Sequence, residues 1–184
     1  MVELWVLALA AMPLPSDYSA QTCSVARSLE VLGERWTLLI VRDAFFGVRR
    51  FGDFVSRLDI PRAVLTARLR ALIEEGVLER VPGESGRDEY ELTDKGTKLW
   101  PVVRDLMAWG DEFYAPAGPL RILRHDADDG ALDRQGRCAS CGELIEVAEI
   151  TMEPGPGFGH AGRREDAVSR VIAQPRRLLD PVRG

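Results

Sequence analysis

The chain has 184 residues, 46% hydrophobic and 29% charged, a composition typical of a globular protein that buries a core without disulfide bonds. The formal net charge of −5 argues against a uniformly basic nucleic-acid-binding protein, so binding of a polyanion requires a local concentration of cations. The three cysteines are an odd number without a secretion signal, which argues against a disulfide framework and indicates a cytoplasmic protein.

Residues 1–19 are interpreted as an N-terminal extension, in which an apolar run from Glu3 to Ala11 precedes Met12. The run is too short to cross a bilayer, which requires about 20 apolar residues, and it lacks the basic start of a secretion signal. We therefore expect no membrane partner. The sequence leaves open whether translation starts at Met1 or at Met12.

Four helices are predicted in the first half of the chain from the spacing of apolar residues. The first covers 24–33, the second covers 35–46 and is apolar almost all round, and the third covers 49–58. A short turn leads to Pro61, which suits the start of a fourth helix that ends near Glu75.

The pattern then changes to two short strands, predicted at 77–81 and 89–93 around a polar, glycine-containing turn, which indicates a β-hairpin. A last helix over 94–114 carries apolar residues at alternating spacings of three and four, which is a coiled-coil seam and predicts a dimer interface. The seam residues are Leu99, Val102, Leu106, Trp109 and Phe113. This order of elements predicts a mainly α fold with a small β-hairpin, a winged helix-turn-helix domain over 20–115.

Arginine is concentrated between Arg49 and Arg70. This stretch contains six arginines and two acidic residues, which gives it a local charge of +4. The fourth helix turns its leucines to the core and small or cationic side chains outward, so it is predicted to enter a DNA groove. The predicted DNA-contacting residues are Arg49, Arg50, Arg62, Ala63, Thr66, Ala67, Arg70 and, in the hairpin turn, Arg87. The alternative for any single exposed arginine is a solvated charge without a ligand.

Several ordered motifs resemble the HxlR-type regulators of the MarR-like superfamily over residues 20–115. They are Gly33-Glu34-Arg35-Trp36-Thr37-Leu38-Leu39-Ile40, Arg50-Phe51-Gly52-Asp53-Phe54, Leu65-Thr66-Ala67-Arg68-Leu69-Arg70-Ala71-Leu72 and Tyr90-Glu91-Leu92-Thr93-Asp94-Lys95-Gly96, with Cys23-Ser24-Val25 before them. The resemblance implies a homodimer that binds an inverted-repeat operator in double-stranded DNA, as a repressor or an activator. Pro61 departs from the family pattern, which often has a Ser-like cap there.

Cys23 lies where several members of that family carry a thiol that senses electrophiles or oxidants. Sensing requires an exposed thiol that forms a thiolate readily, and Arg27, one helical turn away, would favour the thiolate. The alternative is a small residue buried in the dimer interface. A redox signal through Cys23 and a small-molecule effector both remain open.

Residues 116–152 are interpreted as a small extension that contains the pair Cys138-Ala139-Ser140-Cys141, which is like one knuckle of a zinc ribbon. His125, with Asp126, Asp128 or Asp129, would complete a mixed zinc site. The favoured interpretation is a degenerate zinc-ribbon-like extension that has lost half of its ligands and holds no cofactor. Residues 153–184 are rich in Gly, Pro and Arg without periodicity, and a disordered tail is predicted there.

Two other classes of function are alternatives to the DNA-binding regulator. A protein-interaction module would use the acidic surface and the C-terminal segment, but the arginine-rich stretch argues against this as the sole activity. No enzymatic activity is expected, because the two histidines, His125 and His160, have no convincing nucleophile or base nearby and no glycine-rich phosphate loop is present.

Overall fold

The computed structural model describes residues 18, 21–84, 86–159 and 165–183. The expectations about the N-terminal extension and its start therefore lie outside the described residues, apart from Tyr18. Within the described part of the chain, no helix is long and apolar enough to cross a membrane.

The first half of the chain folds as the predicted winged helix. Its helices and strands are α1 (Ser24–Leu32), α2 (Thr37–Phe45), α3 (Phe51–Leu58), α4 (Arg62–Glu74), β1 (Leu78–Pro82), β2 (Asp88–Leu92), α5 (Asp94–Thr97) and α6 (Trp100–Tyr114). The four predicted helices are confirmed to within two residues at each end. The predicted single helix over 94–114 is wrong in one respect, since α5 ends at Thr97 and α6 begins at Trp100, immediately before Pro101.

The hairpin forms the wing. Strand β1 pairs with β2 in antiparallel register, with Leu78 opposite Leu92 and Pro82 opposite Asp88. The Thr93 hydroxyl donates to the Gly76 carbonyl oxygen at 2.6 Å and accepts from the N–H of Gly96 at 3.1 Å. Thr93 thereby caps α5 and fixes the wing to the end of α4.

A second unit follows α6 and contains the predicted cysteine extension. It consists of a three-stranded antiparallel sheet, with the strand order β3-β4-β5, and a short helix. These elements are β3 (Arg121–His125), β4 (Ile150–Pro154), α7 (Ala167–Ile172) and β5 (Arg176–Arg177). We call residues 116–183, as far as they are described, the C-terminal extension.

The predicted disordered tail is wrong for 153–159 and 165–183. Val168, Ile172, Leu178 and Val182 are buried in the same apolar cluster as the helices of the winged helix. Their spacing is irregular because they belong to a one-and-a-half-turn helix, a two-residue strand and loops. Periodicity therefore carried no signal for this segment.

The end of the chain runs along the winged helix. The N–H of Leu179 donates to the Phe45 carbonyl oxygen, and that of Val182 donates to the Gly47 carbonyl oxygen, both at 2.8 Å. Gly47 has φ of 86°, and a Cβ at this position would lie 1.8 Å from the Asp180 carbonyl oxygen. Glycine is therefore required both by the backbone conformation and by the close approach of the C-terminal segment.

Candidate nucleic-acid interface

The outward face of α4 is exposed as the sequence predicts, whereas its leucines are buried. The exposed residues on this face are Arg62, Ala63, Thr66, Ala67 and Arg70. Leu65, Leu69 and Leu72 are each at most 2% exposed and hold the helix against the core. The small alanines leave room for a groove of DNA to approach the backbone, so the geometry suits a recognition helix.

Helix α4 begins one residue later than predicted. Pro61 is at the N-cap with extended backbone angles, and no side chain caps the helix. The Thr66 hydroxyl donates to the Arg62 carbonyl oxygen at 2.9 Å. Arg62 lies over the Phe51 ring at 5.6 Å and forms no ion pair with any described residue. Its guanidinium therefore lies beside the first turn of α4, against the aromatic ring of α3, and is available to a ligand.

Arg49 and Arg50 are less available for DNA than the sequence predicts. The guanidinium of Arg49 pairs with the Glu91 carboxylate and also donates to the Leu179 carbonyl oxygen. Arg50 pairs with Glu89 at 3.0 Å. Both arginines fix the start of α3 to the wing and the C-terminal segment, so contact with DNA would require these pairs to break.

Most of the local positive charge between residues 49 and 70 is neutralised in the same way. Arg57 lies 3.8 Å from the buried carboxylate of Asp43, and Arg68 lies 3.2 Å from Glu34. Arg70 pairs with Glu74 at 2.7 Å, although both side chains are exposed. Counting cations along the sequence missed these partners because Glu34, Glu89 and Glu91 come from other elements. The alternation of glutamates in β2 was the one signal that could have indicated them.

The wing presents a second cation. Arg87 is exposed in the turn between β1 and β2 and forms no ion pair with any described residue. Gly86, with φ of 71°, makes the turn next to it. On the other side of the turn Glu84 pairs with Arg183 at 2.9 Å, so the C-terminal extension reaches the wing. Arg62 and Arg87 are thus the predicted contacts that carry uncompensated charge.

The predicted seam of α6 is an exposed apolar stripe, except for half-buried Leu99. The exposed fractions of Val102, Leu106, Trp109 and Phe113 are 43%, 49%, 49% and 60%. Trp109 packs on Phe113 with ring centroids 5.4 Å apart. Helix α1 adds two more exposed apolar side chains, Val25 and Leu29. A surface of this kind marks an interaction site rather than a solvated face.

Cys23 is exposed at the N-cap of α1, and its side chain makes no capping hydrogen bond. The guanidinium of Arg27 donates to both carboxylate oxygens of Glu30 at 3.0 Å. Arg27 is therefore engaged by an acid, and the sequence-based argument that it assists the Cys23 thiolate loses its support. The exposure that sensing requires is present.

Four side chains of the C-terminal extension converge on one point: His125, Asp128, Cys138 and Cys141, whose ligand atoms all lie within 4.8 Å of one another. The His125 Nδ1 atom is 3.1 Å from Asp128 Oδ1 and 3.7 Å from the Cys141 sulfur, and the Cys138 sulfur is 3.1 Å from Asp128 Oδ1. Tetrahedral zinc with bonds of 2.0–2.3 Å holds its ligand atoms about 3.3 to 3.8 Å apart. The cluster therefore has nearly the size of a zinc site.

The choice among the three aspartates is settled by their contacts. Asp126 accepts from the Thr151 hydroxyl and pairs with Arg177, and Asp129 lies 3.7 Å from Arg124. Only Asp128 among them points to the cysteines.

The backbone around the cluster leaves space for the Cys138 sulfur and donates hydrogen bonds to the sulfur and to the Asp128 carboxylate. A Cβ on Gly130 would lie 2.3 Å from the Cys138 sulfur, so this position requires glycine. Burial alone would raise the pKa of Cys138, but hydrogen bonds from the N–H groups of Cys141 and Ser140 outweigh it and lower the pKa of the thiol. The N–H of Gly130 lowers the pKa of Asp128 to about 2.

Comparison with known proteins agrees with the winged-helix fold. The family model for the HxlR-like helix-turn-helix matches residues 31–117. The HTH-type transcriptional regulator Rv3095 of Mycobacterium tuberculosis (strain ATCC 25618 / H37Rv) is 51% identical over 138 residues, which are 73% of this chain and 87% of the relative. YvaP of Bacillus subtilis (strain 168), another HTH-type transcriptional regulator, is 35% identical over 94 residues, 50% of this chain and 87% of the relative.

This chain belongs to the HxlR family of helix-turn-helix transcriptional regulators. Among solved structures, the candidate transcription factor PA1607 is similar with a TM-score of 0.55 and 43% identity, covering 67% of this chain and 89% of that one. The 138 residues shared with the mycobacterial relative exceed the span of the HxlR family model, so the likeness is not confined to the winged helix.

Proposed function

We propose that this HxlR-family regulator acts as a homodimer that binds an inverted-repeat operator. In this proposal α4 of each protomer enters the major groove and the wing contacts the flanking backbone. The observation that carries it is the exposed face of α4, where two alanines lie between the unpaired Arg62 and the solvent-facing Arg70. A protein-interaction module remains the weaker alternative, because it does not explain why the exposed face of α4 combines small and cationic side chains. We further propose a cytoplasmic location, which DNA as the target supports.

The arginines divide into two groups in this proposal. Arg62 reaches base edges or phosphates from the first turn of α4, and Arg87 contacts phosphates or the minor groove from the wing. Arg70 contributes after exchanging Glu74 for a phosphate, which costs little because an exposed ion pair is worth about 0–1 kcal/mol. Arg49 and Arg50 act indirectly, by holding α3 and the wing in register.

The homodimer rests on the apolar stripe of α6 together with α1. Exposed Trp109 and Phe113 are large aromatic side chains of the kind that dominate protein interfaces. A two-fold axis through this seam would present two α4 helices on one side of the dimer, which matches an operator with two half-sites.

Selection of bound fragments from the protein's own genomic DNA, followed by footprinting, tests this proposal. We expect protected sequences to form inverted repeats with half-sites about 10 base pairs apart, centre to centre, or a multiple of that spacing. Binding without sequence preference, or no binding at salt concentrations near those of the cell, would contradict it.

We propose further that Cys23 makes operator binding sensitive to electrophiles or oxidants. The support is its exposure at the N-cap of α1, next to the apolar side chains assigned to the dimer interface. A quinone added to the protein–operator complex should release the DNA, and Cys23→Ser should abolish the release while Cys141→Ser retains it. Equal release from the Cys23→Ser variant would remove the proposal.

We also propose that His125, Asp128, Cys138 and Cys141 bind one zinc ion. Two thiolates, an imidazole and a carboxylate complete a tetrahedral site, and a closed set of four protein ligands is the mark of a structural rather than a catalytic zinc. The ion would join the end of β3 to the cysteine turn, where the chain otherwise has isolated bridges such as Leu132 to Cys138.

Metal analysis of the full-length protein, purified without chelators and under reducing conditions, tests the zinc proposal. About one zinc per chain is expected, and Cys138→Ser and Asp128→Asn should each lower that ratio. Cys23→Ser is the matched control and should keep the metal. Protein that stays metal-free after anaerobic addition of zinc would contradict the proposal.

A further inference from the structure

A cavity of about 830 Å³ lies between the winged helix and the C-terminal extension. Helix α2 and the residues beside it form one wall, α6 forms the second, and β3 with α7 forms the third. This volume is within the range of sites that bind small organic molecules. The position is informative, because a ligand here would contact the DNA-binding unit, the proposed dimer helix and the extension together.

The polar part of the cavity has an excess of positive charge. Four arginines line it, whereas Asp111 and Glu165 are its acidic residues. These arginines are Arg42, Arg57, Arg121 and Arg170. Arg42 and Arg57 both lie near the buried Asp43 carboxylate behind the wall, at 2.7 and 3.8 Å, and Arg57 also interacts electrostatically with Asp166. The cavity therefore favours an anion over a cation or a neutral molecule.

Arg121 is the most unusual of these groups. Its guanidinium lies over the Phe158 ring at 4.1 Å, and its Nη1 atom is buried without a hydrogen-bond partner among the described residues. Burial, together with smaller contributions from the charges of Arg57 and Arg42, lowers the pKa of Arg121 to about 10. The side chain is still charged at neutral pH. A half-buried cation with one buried, unpartnered N–H group gains most from an acceptor brought by a ligand.

The rest of the lining is apolar. Trp36, Leu39 and Phe46 line the cavity from the side of α2, Met107 lines it from α6, and Phe158 lines it from the extension. A simple inorganic anion would leave these side chains without contacts. The combination of an arginine at one end and aromatic and aliphatic walls around it matches a carboxylate attached to an apolar body.

We propose that this cavity binds a small organic carboxylate with an aromatic or alicyclic body, with its anionic group on Arg121. Two hydrogen bonds from the guanidinium fork would satisfy the unpartnered Nη1 atom. The apolar body would lie among Trp36, Met107 and Phe158. The regulatory part of the inference rests on the proposed function: a ligand that contacts α2, α6 and α7 together changes the placement of α4 in the dimer, and hence operator affinity.

Binding of naphthoate to the full-length protein, measured by calorimetry and by Trp fluorescence without DNA, tests the proposal. Naphthalenemethanol, which has nearly the same shape and no charge, is the matched ligand control. We expect naphthoate to bind at least about tenfold more tightly than the alcohol, because only the anion compensates Arg121.

Variants of the protein sharpen the result. Arg121→Gln and Arg121→Met should each weaken naphthoate binding by at least about tenfold without lowering the unfolding midpoint, since each removes a half-buried charge that has no ion-pair partner among the described residues. Arg134→Gln, at an exposed arginine of the extension, should bind as the parent does. The proposal would be overturned if naphthoate and the alcohol bind equally well, or if the Arg121 variants bind naphthoate as tightly as the parent. It would also be overturned if naphthoate does not bind at all, as when a second protomer fills the cavity.

The regulatory part has its own readout. Naphthoate should shift operator affinity in the parent and not in Arg121→Gln. Tight binding of naphthoate with unchanged operator affinity would overturn the regulatory part and leave the site. If no operator is bound at all, the proposed function fails, and the calorimetric result still decides the ligand site.

Discussion

The winged helix and the C-terminal extension share one apolar core but are specified in different ways. In the winged helix, apolar side chains recur at helical spacing, and helices α2, α3 and α4 bury their apolar stripes. The extension has strands of two to five residues, isolated bridges and a six-residue helix, so few of its contacts are local. The comparison teaches that the extension depends on what it docks against, and on zinc if its cysteine cluster binds the ion as proposed.

The largest expected effect comes from separating the two regions at Gly47. Gly47→Val places a β-branched side chain at positive φ and against the Asp180 carbonyl oxygen, so the segment with Leu179 and Val182 must leave the winged helix. We expect the free energy of unfolding to fall by about 4 kcal/mol. Urea unfolding measures this loss, and hydrogen exchange of residues 176–183 reports whether the segment has detached.

Gly52→Ala is the matched control for this substitution. A Cβ at Gly52 meets nothing within 4 Å, and alanine favours the α3 helix, so stability should be unchanged or slightly higher. If Gly47→Val were as stable as the parent, the extension would not be held by the winged helix, and the comparison would fail.

Treatment with a chelator is the second test of the difference between the two regions. If zinc binds at His125, Asp128, Cys138 and Cys141, a chelator should loosen the extension and leave the winged helix folded. At free zinc about a thousandfold above the dissociation constant, binding stabilises the folded state by about 4 kcal/mol, and the extension loses this amount. Far-ultraviolet circular dichroism and hydrogen exchange, with and without chelator, should show loss of protection in 121–154 but not in α2.

The sequence predicts more of the winged helix than of the extension, because the contacts of the winged helix are more local. Helices α1 to α4, the wing and the α6 seam follow from apolar periodicity and turn chemistry. Val168, Ile172, Leu178 and Val182 could not be predicted as core residues because their segments pack against distant parts of the chain. Helix α7 packs on α3, and the N–H of Val182 donates to the Gly47 carbonyl oxygen, both more than about a hundred residues earlier. Cys138 and Cys141 were predicted as half of a metal site, whereas the choice of Asp128 required the fold.

The cationic surface shows the same division. The exposed face of α4 was predictable from the leucines on its other side. The neutralisation of Arg49, Arg50, Arg57 and Arg68 was not, because their acidic partners come from other parts of the chain. Arg121 escaped prediction altogether, since its importance comes from the cavity formed between the two regions.

Helix α6 joins the two regions, and its exposed stripe provides a third prediction. Trp109→Glu places a charge in the proposed seam and should raise the dimer dissociation constant by at least about 100-fold. Sedimentation measures this change, and circular dichroism shows that the protomer stays folded. Asp105→Asn, at an exposed polar position of α6, should remain as dimeric as the parent; a dimeric Trp109→Glu variant would place the interface elsewhere.

A smaller effect is expected from Glu74, whose carboxylate pairs with Arg70 on the α4 face. Glu74→Gln removes a negative charge facing DNA and leaves Arg70 free for phosphate, so operator affinity should rise about threefold at low salt and less at high salt. Fluorescence anisotropy at two salt concentrations measures the effect. Glu146→Gln, in the extension, should leave the affinity unchanged, and equal gains in both variants would mean that net charge alone is responsible.

The central claim is that the α4 face reads operator DNA, and the affinity of Arg62→Ala for its operator tests it most directly. Arg62 is the arginine between Arg49 and Arg70 that has no acidic partner among the described residues, so its loss should not disturb the fold. We predict about a 10- to 100-fold loss of operator affinity, with unchanged stability and an unchanged dimer, whereas Arg134→Ala binds as the parent does. Operator affinity in Arg62→Ala equal to that of the parent would contradict the claim.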